Sequence, residues 1–371
     1  MSRKHIVMVY KDFYPPVKGG IEFHIADIVK GLKDKFRFTV LVQSGKNTTQ
    51  VEKTDGIEII RASEFGRIQS APLSASLVKY FRKLKPNIWH FHLPNPTAVI
   101  AYLSSFQTYG SLLVTYHSDI IRQKTLGCLY KPFSLIFLKK ADAIIATSDA
   151  YAKSSDELKL FRNKTIAIPI GIDPPGFWQS MNVLAQVSEI KKKTEKPIIL
   201  FIGKLRYYKG LHILIEAMKE IDAVLIIAGE GPMEKELKMI ACKYDVLEKI
   251  VFEGEVSEER KWALLQSADI FCLPSTYRSE AYGICQIEAQ LAGLPVVTTE
   301  LGTGTSFVTI DKKTGYVIPP DDSKLLAKKI KKIIYDPLLK QKFGEAGRER
   351  AEKEFSLKLM LSRLEKVYNE L

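Results

Sequence analysis

Strand-length apolar runs separated by helix-length segments recur twice along this chain, and that repetition leaves few folds open to it. The first series runs Ile6–Tyr10 (strand), Ile21–Leu32 (helix), Arg37–Gln43 (strand), Ala75–Leu84 (helix), then strands at Ile88–His92, Leu112–Tyr116, Ala143–Thr147 and Thr165–Ile168. Strands alternating with helices form a parallel, doubly wound sheet. Between Ile170 and Lys196 stand Pro174-Pro175-Gly176 and the cationic run Lys191-Lys192-Lys193, the composition of a linker region. A second series follows, with strands at Pro197–Ile202, Ala223–Ala228, Ile250–Phe252 and Ile270–Leu273, and helices at Leu211–Lys219, Met233–Tyr244 and Glu258–Ser267. The segment Pro337–Leu371 is helical and charged. This pattern predicts two α/β halves facing a central cleft, divided as residues 1–185 and 186–355 with a terminal helix over 356–371. Ligands in such sheets bind at the carboxyl ends of the strands.

Composition narrows the class. A chain of 371 residues with 46% hydrophobic content can bury two ordinary cores. No apolar run approaches the roughly 20 residues that span a bilayer, and Met-Ser-Arg-Lys-His leads straight into the first strand, so a cytoplasmic protein without a cleavable signal is expected. Cys128, Cys242, Cys272 and Cys285 form no CxxC pair and read as reduced, buried thiols. Asp-x-Asp is absent and the six histidines lack metal-ligand spacing along the chain, so no metal is expected. The formal charge of +13 is uneven: residues 1–190 hold 25 Lys and Arg against 15 Asp and Glu, leaving 30 against 27 for the rest. An excess confined to one half points to an anionic partner. No nucleic-acid module accompanies it. The mixed stretches Leu77–Lys85 and Leu126–Lys140 suit an anionic bilayer surface, or equally a basic helix with its apolar side in the core.

The motifs sit where strands end. Glu280 and Glu288 stand eight apart in Ser279-Glu280-Ala281-Tyr282-Gly283-Ile284-Cys285-Gln286-Ile287-Glu288-Ala289. Gly283–Leu291 reads as a short helix, Gly293 as its stop, and Val296–Thr299 as a buried strand. Glu280 then precedes the helix and Glu288 lies two turns inside it. The amides of Tyr282, Gly283 and Ile284 lie between them, at a helix start that favours a phosphate. The bland alternative is a charge preference at a helix start and a solvated face. Gly19 and Gly20, opening the first helix after a strand, allow close backbone approach to a phosphate or sugar, or simply make a tight turn. Lys204, Arg206 and Lys209 crowd the loop after Pro197–Ile202 and suit a diphosphate whose charge grows as its bond breaks; surface lysines in a polar loop are the plainer reading. His117 ends a strand and can donate to a hydroxyl or accept a proton, or is simply structural, as a lone histidine more often is, with Asp119 placed to orient it or to cap the next helix. The turns Ala228-Gly229-Glu230-Gly231-Pro232 and Phe252-Glu253-Gly254-Glu255-Val256 complete the series; the second, with Val256, can wrap a nucleobase. The glycine- and hydroxyl-rich loop Glu300–Ser306 can hold sugar or phosphate oxygens, or merely turn the chain.

In this order, the double glycine, His117, the loop ending Lys209-Gly210, Gly229–Pro232 and Glu280-x7-Glu288 resemble a family 4 glycosyltransferase of the GT-B fold, two Rossmann-like doubly wound domains, over nearly the whole length. The resemblance implies retaining transfer from a nucleotide-sugar with no essential metal, closure of the cleft on the donor, an acceptor- and membrane-facing first domain, a nucleotide-sugar-binding second domain, and a terminal helix packing back on the first. It implies catalytic roles for His117, Glu280 and Lys209: His117 near the sugar's reactive face, Glu280 facing the donor sugar, and Lys209 with Lys204 holding the diphosphate. Gly19 and Gly20 would pass beside that diphosphate, Val256, Tyr282, Gly283 and Ile284 would line the nucleotide site, and Glu288 would bind the ribose. One departure is Lys204, where the family usually has arginine, which keeps the charge and loses the bidentate fork.

The wording Tyr277–Gly283 followed by Glu300–Ser306 is similar to bacterial polysaccharide mannosyltransferases. That similarity implies GDP-mannose as donor, an undecaprenyl-diphosphate-linked O-antigen saccharide as acceptor, and peripheral association with the inner membrane. UDP-linked hexoses stay open as donors. The rivals are a non-catalytic nucleotide- or glycan-binding protein of the same fold, and an epimerase-type enzyme that hydrolyses its nucleotide-sugar. A nucleic-acid-binding role would rest on charge alone.

Overall fold

The computed structural model describes residues 3–17, 19–43, 45–68, 71–106, 108–120 and 124–371. The chain forms two compact units, one of Met1–Ile170 with Leu357–Leu371 and one of Gly171–Ser356.

The first unit is built on β1 (His5–Val9), β2 (Arg37–Gln43), β3 (Gln50–Thr54), β4 (Ile57–Ala62), a separate hairpin of β5 (Gly66–Ile68) and β6 (Ala71–Leu73), then β7 (Ile88–Leu93), β8 (Ser111–Tyr116), β9 (Ala143–Ala146) and β10 (Thr165–Ala167). Its eight-stranded sheet runs in the order β10-β9-β8-β7-β1-β2-β4-β3. Every pairing is parallel except the edge, where β3 runs antiparallel to β4. β1 and β7 bury every residue, as central parallel strands covered on both faces must. The two faces feed two cores: Val7, Val9, Trp89 and Phe91 point to one, Ile6, Met8 and Ile88 to the other. That second core is closed by the C-terminal helix Leu357–Glu370 through Met360, Leu364, Val367 and Tyr368.

The second unit carries β11 (Ile198–Ile202), β12 (Val224–Ala228), β13 (Ile250–Gly254), β14 (Ile270–Leu273), β15 (Val296–Thr299) and β16 (Gly315–Ile318) in the order β13-β12-β11-β14-β15-β16, all parallel. The division from the first unit falls at Ile170/Gly171, ahead of the 185/186 division expected from linker composition. The intervening segment is packed. The helix Met181–Lys192 lies against Glu258–Ser267, Gln266 Nε2 donates to the carbonyl of Trp178 at 2.6 Å, and the Trp178 and Trp262 rings meet edge to face at 5.8 Å.

Two further expectations change. The helix Ser76–Lys83 buries Leu77 and Phe81 in the first core, so its apolar side is not free for lipid. Cys242 is exposed while Cys272 is buried and Cys285 partly so; the side chain of Cys128 lies outside the described residues. Among the described residues, no helix is long and apolar enough to cross a membrane.

Candidate active site

The chemistry of the second unit gathers at the carboxyl ends of its strands. The loop after β11 is laced to the one after β12: Gly203 N donates to the carbonyl of Ala228 at 3.0 Å and Leu205 N to that of Glu230 at 2.8 Å. Gly229 N in turn reaches the carbonyl of Gly254, the last residue of β13, at 2.7 Å. A 3-10 turn at Tyr207–Lys209 ends on Gly210, whose φ of +68° starts the helix Leu211–Ala217. A Cβ there would overlap the Pro274 carbonyl oxygen, so glycine alone lets the basic loop sit against the end of β14. Thr276 N donates to the carbonyl of Tyr208 at 2.8 Å and locks the two loops together.

That lock brings two of the expected residues into contact. Lys209 Nζ lies 2.5 Å from Glu280 Oε2, both side chains buried, and Ser275 Oγ also donates to Glu280 Oε2 at 3.3 Å. Burial is the largest single influence on Lys209 and works to lower its pKa, but the charge of Glu280, the electrostatics of Cys285 and Tyr208 and the hydrogen bond to Glu280 together outweigh it, and the ammonium is held above its ordinary range. Glu280 is fixed through its backbone too: its N–H donates to the Tyr277 carbonyl at 3.0 Å and its carbonyl accepts from Thr303 Oγ1 at 2.8 Å. The loop Glu300–Ser306 therefore supports Glu280 from behind. The helix spans Ile284–Leu291, with Gly283 in the left-handed region (φ +77°) as its N-cap. A Cβ on Gly283 would lie 2.5 Å from Gln286 Nε2 and 2.7 Å from Leu273 Cδ2, which ties the helix start to the end of β14.

Glu288 lies little more than one turn beyond the helix start at Ile284, not the two turns expected, and is half-buried, with Oε1 2.6 Å from Lys261 Nζ, which also reaches Glu258 Oε2 at 2.8 Å. Burial would lower the pKa of Lys261, yet the two carboxylates raise it above the ordinary lysine range. Lys261 escaped the sequence reading because a lysine in an amphipathic helix looks solvated. Lys204 and Arg206 are exposed on the same loop as Lys209, and Val256 is half-buried beyond β13. Burial pushes the Cys285 thiol up to about 12, so it stays protonated.

The first unit holds a different set. Gly19 is the N-cap of the helix Gly20–Leu32, and its carbonyl accepts from Phe23 N at 3.0 Å. His117 is buried just after β8, and its Nε2 faces His92 Nδ1 at 2.9 Å. Asp119 Oδ1 accepts from Tyr116 Oη at 3.0 Å and from Ser155 Oγ at 2.7 Å. The His92 and His117 rings are stacked, 5.2 Å apart, and the His24 ring stands edge-on to both. Behind them His90 is held by Tyr368 Oη and Thr115 Oγ1, each at 2.7 Å. Burial is the leading cause that lowers every one of these imidazoles, His24 to about 4, His90 to about 3, and His92 and His117 well below the usual value, so all are neutral near pH 7.

Spacing along the chain had argued against metal ligands among the histidines. In the fold, His24, His92 and His117 each offer a ligand atom, all within 4.8 Å of one another. Neutral imidazoles in that arrangement can take a divalent transition metal, whereas here His92 Nδ1 and His117 Nε2 are engaged with each other. A signal for the cluster was present in His90-Phe91-His92, since alternate residues of a strand share a face.

Solved structures share this fold. Sucrose-phosphate synthase from Thermosynechococcus elongatus superposes with a TM-score of 0.83 at 22% identity over 99% of both chains. Anabaena Alr3699/HepE, solved in complex with UDP and glucose, gives a TM-score of 0.79 at 18% identity over the full length of both. The fold is GT-B. Among characterised sequences, O-antigen chain mannosyltransferase C of Escherichia coli is 34% identical over 99% of this chain and 98% of its own. D-rhamnosyltransferase WbpZ of Pseudomonas aeruginosa is 35% identical over 85% of this chain and 82% of its own. The family model Glycosyltransferase Family 4 matches residues 18–175 and Glycosyl transferases group 1 matches residues 185–350. The chain belongs to the family 4, group 1 glycosyltransferases, and it is a glycosyltransferase enzyme.

Proposed function

We propose that this enzyme transfers α-mannose from GDP-mannose, with retention, to a lipid-diphosphate-linked saccharide in O-antigen or a related polysaccharide. The observation that carries the sugar is the full-length likeness to an O-antigen chain mannosyltransferase. The geometry supports the chemistry. Lys209, buried and kept cationic by Glu280, is placed to take a diphosphate that gains charge as the glycosidic bond breaks. Lys204 adds a second cation from the same loop, and Gly19, Gly20 and the amides of Tyr282, Gly283 and Ile284 pass close to the phosphates. Glu280 faces the transferred sugar, Glu288 accepts from the ribose hydroxyls, Val256 lies against the base, and His117 contacts the sugar near its reacting carbon.

In this reading the acceptor oxygen bonds to the anomeric carbon on the face the diphosphate leaves. The acceptor's proton passes to the departing phosphate oxygen. Lys209 stabilises the leaving charge most in the transition state, the condition for raising kcat. No metal is assigned a step. The basic first unit meets an anionic inner-membrane surface and its lipid-linked acceptor.

A second donor reading has its own support: D-rhamnose is 6-deoxymannose, and one relative of comparable identity is a D-rhamnosyltransferase. A thermal-shift panel of GDP-mannose, GDP-D-rhamnose, GDP, UDP-glucose, UDP-GlcNAc and UDP separates these. A ligand that binds the folded state at 100 times its Kd stabilises it by about 2.7 kcal/mol, a readily measured rise in Tm. Shifts confined to the guanosine compounds, followed by sugar transfer to a lipid-linked acceptor, support the proposal. Shifts confined to uridine compounds discard it, and no shift with any compound favours a non-catalytic protein.

A further inference from the structure

The pairing of His92 with His117 has a direction that follows from the unpaired atoms around it. His92 Nε2 is buried with no hydrogen-bond partner, as is His24 Nδ1. A neutral imidazole carries one N–H and one lone pair, so the 2.9 Å contact between His92 Nδ1 and His117 Nε2 admits two proton arrangements. With the His92 proton on Nε2, an N–H would be buried with no acceptor. With the proton on Nδ1, His92 donates to His117 and only a lone pair is left over. Buried N–H groups go unpaired more rarely than buried acceptors do, so the second arrangement is favoured. Both rings are neutral near pH 7 because burial lowers them, which keeps one donor and one acceptor on each. The backbone adds order: His117 N donates to the Leu93 carbonyl at 2.9 Å, pinning the residue after β8 to the strand that carries His92.

We propose that His92 is a positioning residue that holds His117 in the Nδ1–H tautomer, making His117 a neutral hydrogen-bond donor to an oxygen of the transferred sugar rather than a base. The proposal rests on the reading that His117 contacts the sugar. His92 donates through Nδ1 to His117 Nε2, so that lone pair is occupied and Nδ1 of His117 presents the proton. The sugar hydroxyl it meets is an acceptor, and no proton changes owner in the step. The stacked ring of His92 fixes the plane of His117 as well.

The test uses the full-length enzyme with 15N-labelled histidine, read by long-range proton–nitrogen NMR, beside steady-state kinetics. The wild type is expected to show His117 protonated at Nδ1 and bare at Nε2. His92→Phe keeps a flat ring and removes the donor; His117 should then populate both tautomers, and kcat should fall about five- to tenfold, the worth of one hydrogen bond. His92→Asn places an amide N–H near the position of Nδ1 and should restore the tautomer and most of kcat. A wild-type His117 protonated at Nε2 overturns the proposal. So does a folded His92→Phe enzyme with unchanged spectrum and kcat, or equal losses in both variants with the tautomer unmoved. Wild-type turnover in His117→Ala would instead remove the sugar contact, while the NMR result on His92 would stand or fall on its own.

Discussion

The two units bury polar groups in opposite ways. The first stores His24, His90, His92 and His117 as neutral rings, with His92 hydrogen-bonded to His117 and His90 to Tyr368 and Thr115. The second stores charge, as the pairs Lys209–Glu280 and Lys261–Glu288. A neutral imidazole can meet a sugar hydroxyl without attracting ions, whereas a buried cation beside a carboxylate is poised for an anion that displaces or shares its partner. Removing one member also has different consequences. A lost imidazole leaves an unpaired donor or acceptor, but a lost charge leaves its partner buried and uncompensated, typically a cost of about 3–5 kcal/mol.

The contrast breaks most visibly at Glu280. Glu280→Ala should lower turnover by about two to three orders of magnitude, on the scale of losing an electrostatic group aimed at the transition state, while nucleoside diphosphate still binds. Turnover near wild type, with calorimetry showing intact GDP binding, would remove Glu280 from the chemistry. Lys209→Met should cost stability as well, because Glu280 and Ser275 stay behind without the cation.

A second way to sharpen the comparison is pH. His5 and His24 are lowered from 6.5 to about 4 and His90 to about 3, in each case chiefly by burial, and all lie in the first unit. Their unfolded forms bind protons first. Stability is therefore whole above pH 6.5 and is lost as pH falls toward 4, on the order of 1–2 kcal/mol for each imidazole at pH 5. The second unit is opposite: Lys209 and Lys261 are raised above 10.5, so their contribution is whole below 10.5 and lost only in alkali. With W178F and W262F in place, Trp89 alone reports the first unit. Its urea midpoint should drop between pH 7 and pH 5, and a constant midpoint would show that the imidazoles are not buried neutral.

The same contrast explains what was legible in the sequence. Buried parallel strands are unbroken apolar runs, so β1, β7, β8, β11 and β14 could be read directly. β3, Gln-Val-Glu-Lys-Thr, is largely exposed at an antiparallel edge and carries no such signal, and Glu58 and Arg61 interrupt the apolar run of β4. At the site, Lys209 and Glu280 were each legible from the loops that carry them. Their contact was not, because it depends on the left-handed turn at Gly210 lying against Pro274. Lys261 and the convergence of His24 with His92 were hidden for a related reason. Tertiary packing, not local pattern, decides whether a lysine or histidine faces water.

Charge also separates the units at their surfaces, and there the expected effect is smallest. The helix Lys124–Lys140 exposes Leu129 (71%), Phe133 (44%) and Ile136 (50%), spaced by four and three residues and so on one face, while Phe137 and Leu138 are buried. Lys131, Lys139 and Lys140 are exposed on the same helix. An apolar stripe flanked by lysines suits the interface of an anionic bilayer, where each lysine near the surface contributes up to about 1 kcal/mol and salt weakens it. Replacing the three lysines with glutamine should weaken binding to phosphatidylglycerol-containing vesicles by roughly tenfold at 0.1 M salt, and less at higher salt. Phe133→Ser should weaken binding with little dependence on salt, since its contribution is area removed from water. If both sets leave sedimentation with vesicles unchanged, the basic excess of the first unit serves the diphosphate of the acceptor rather than the membrane that carries it.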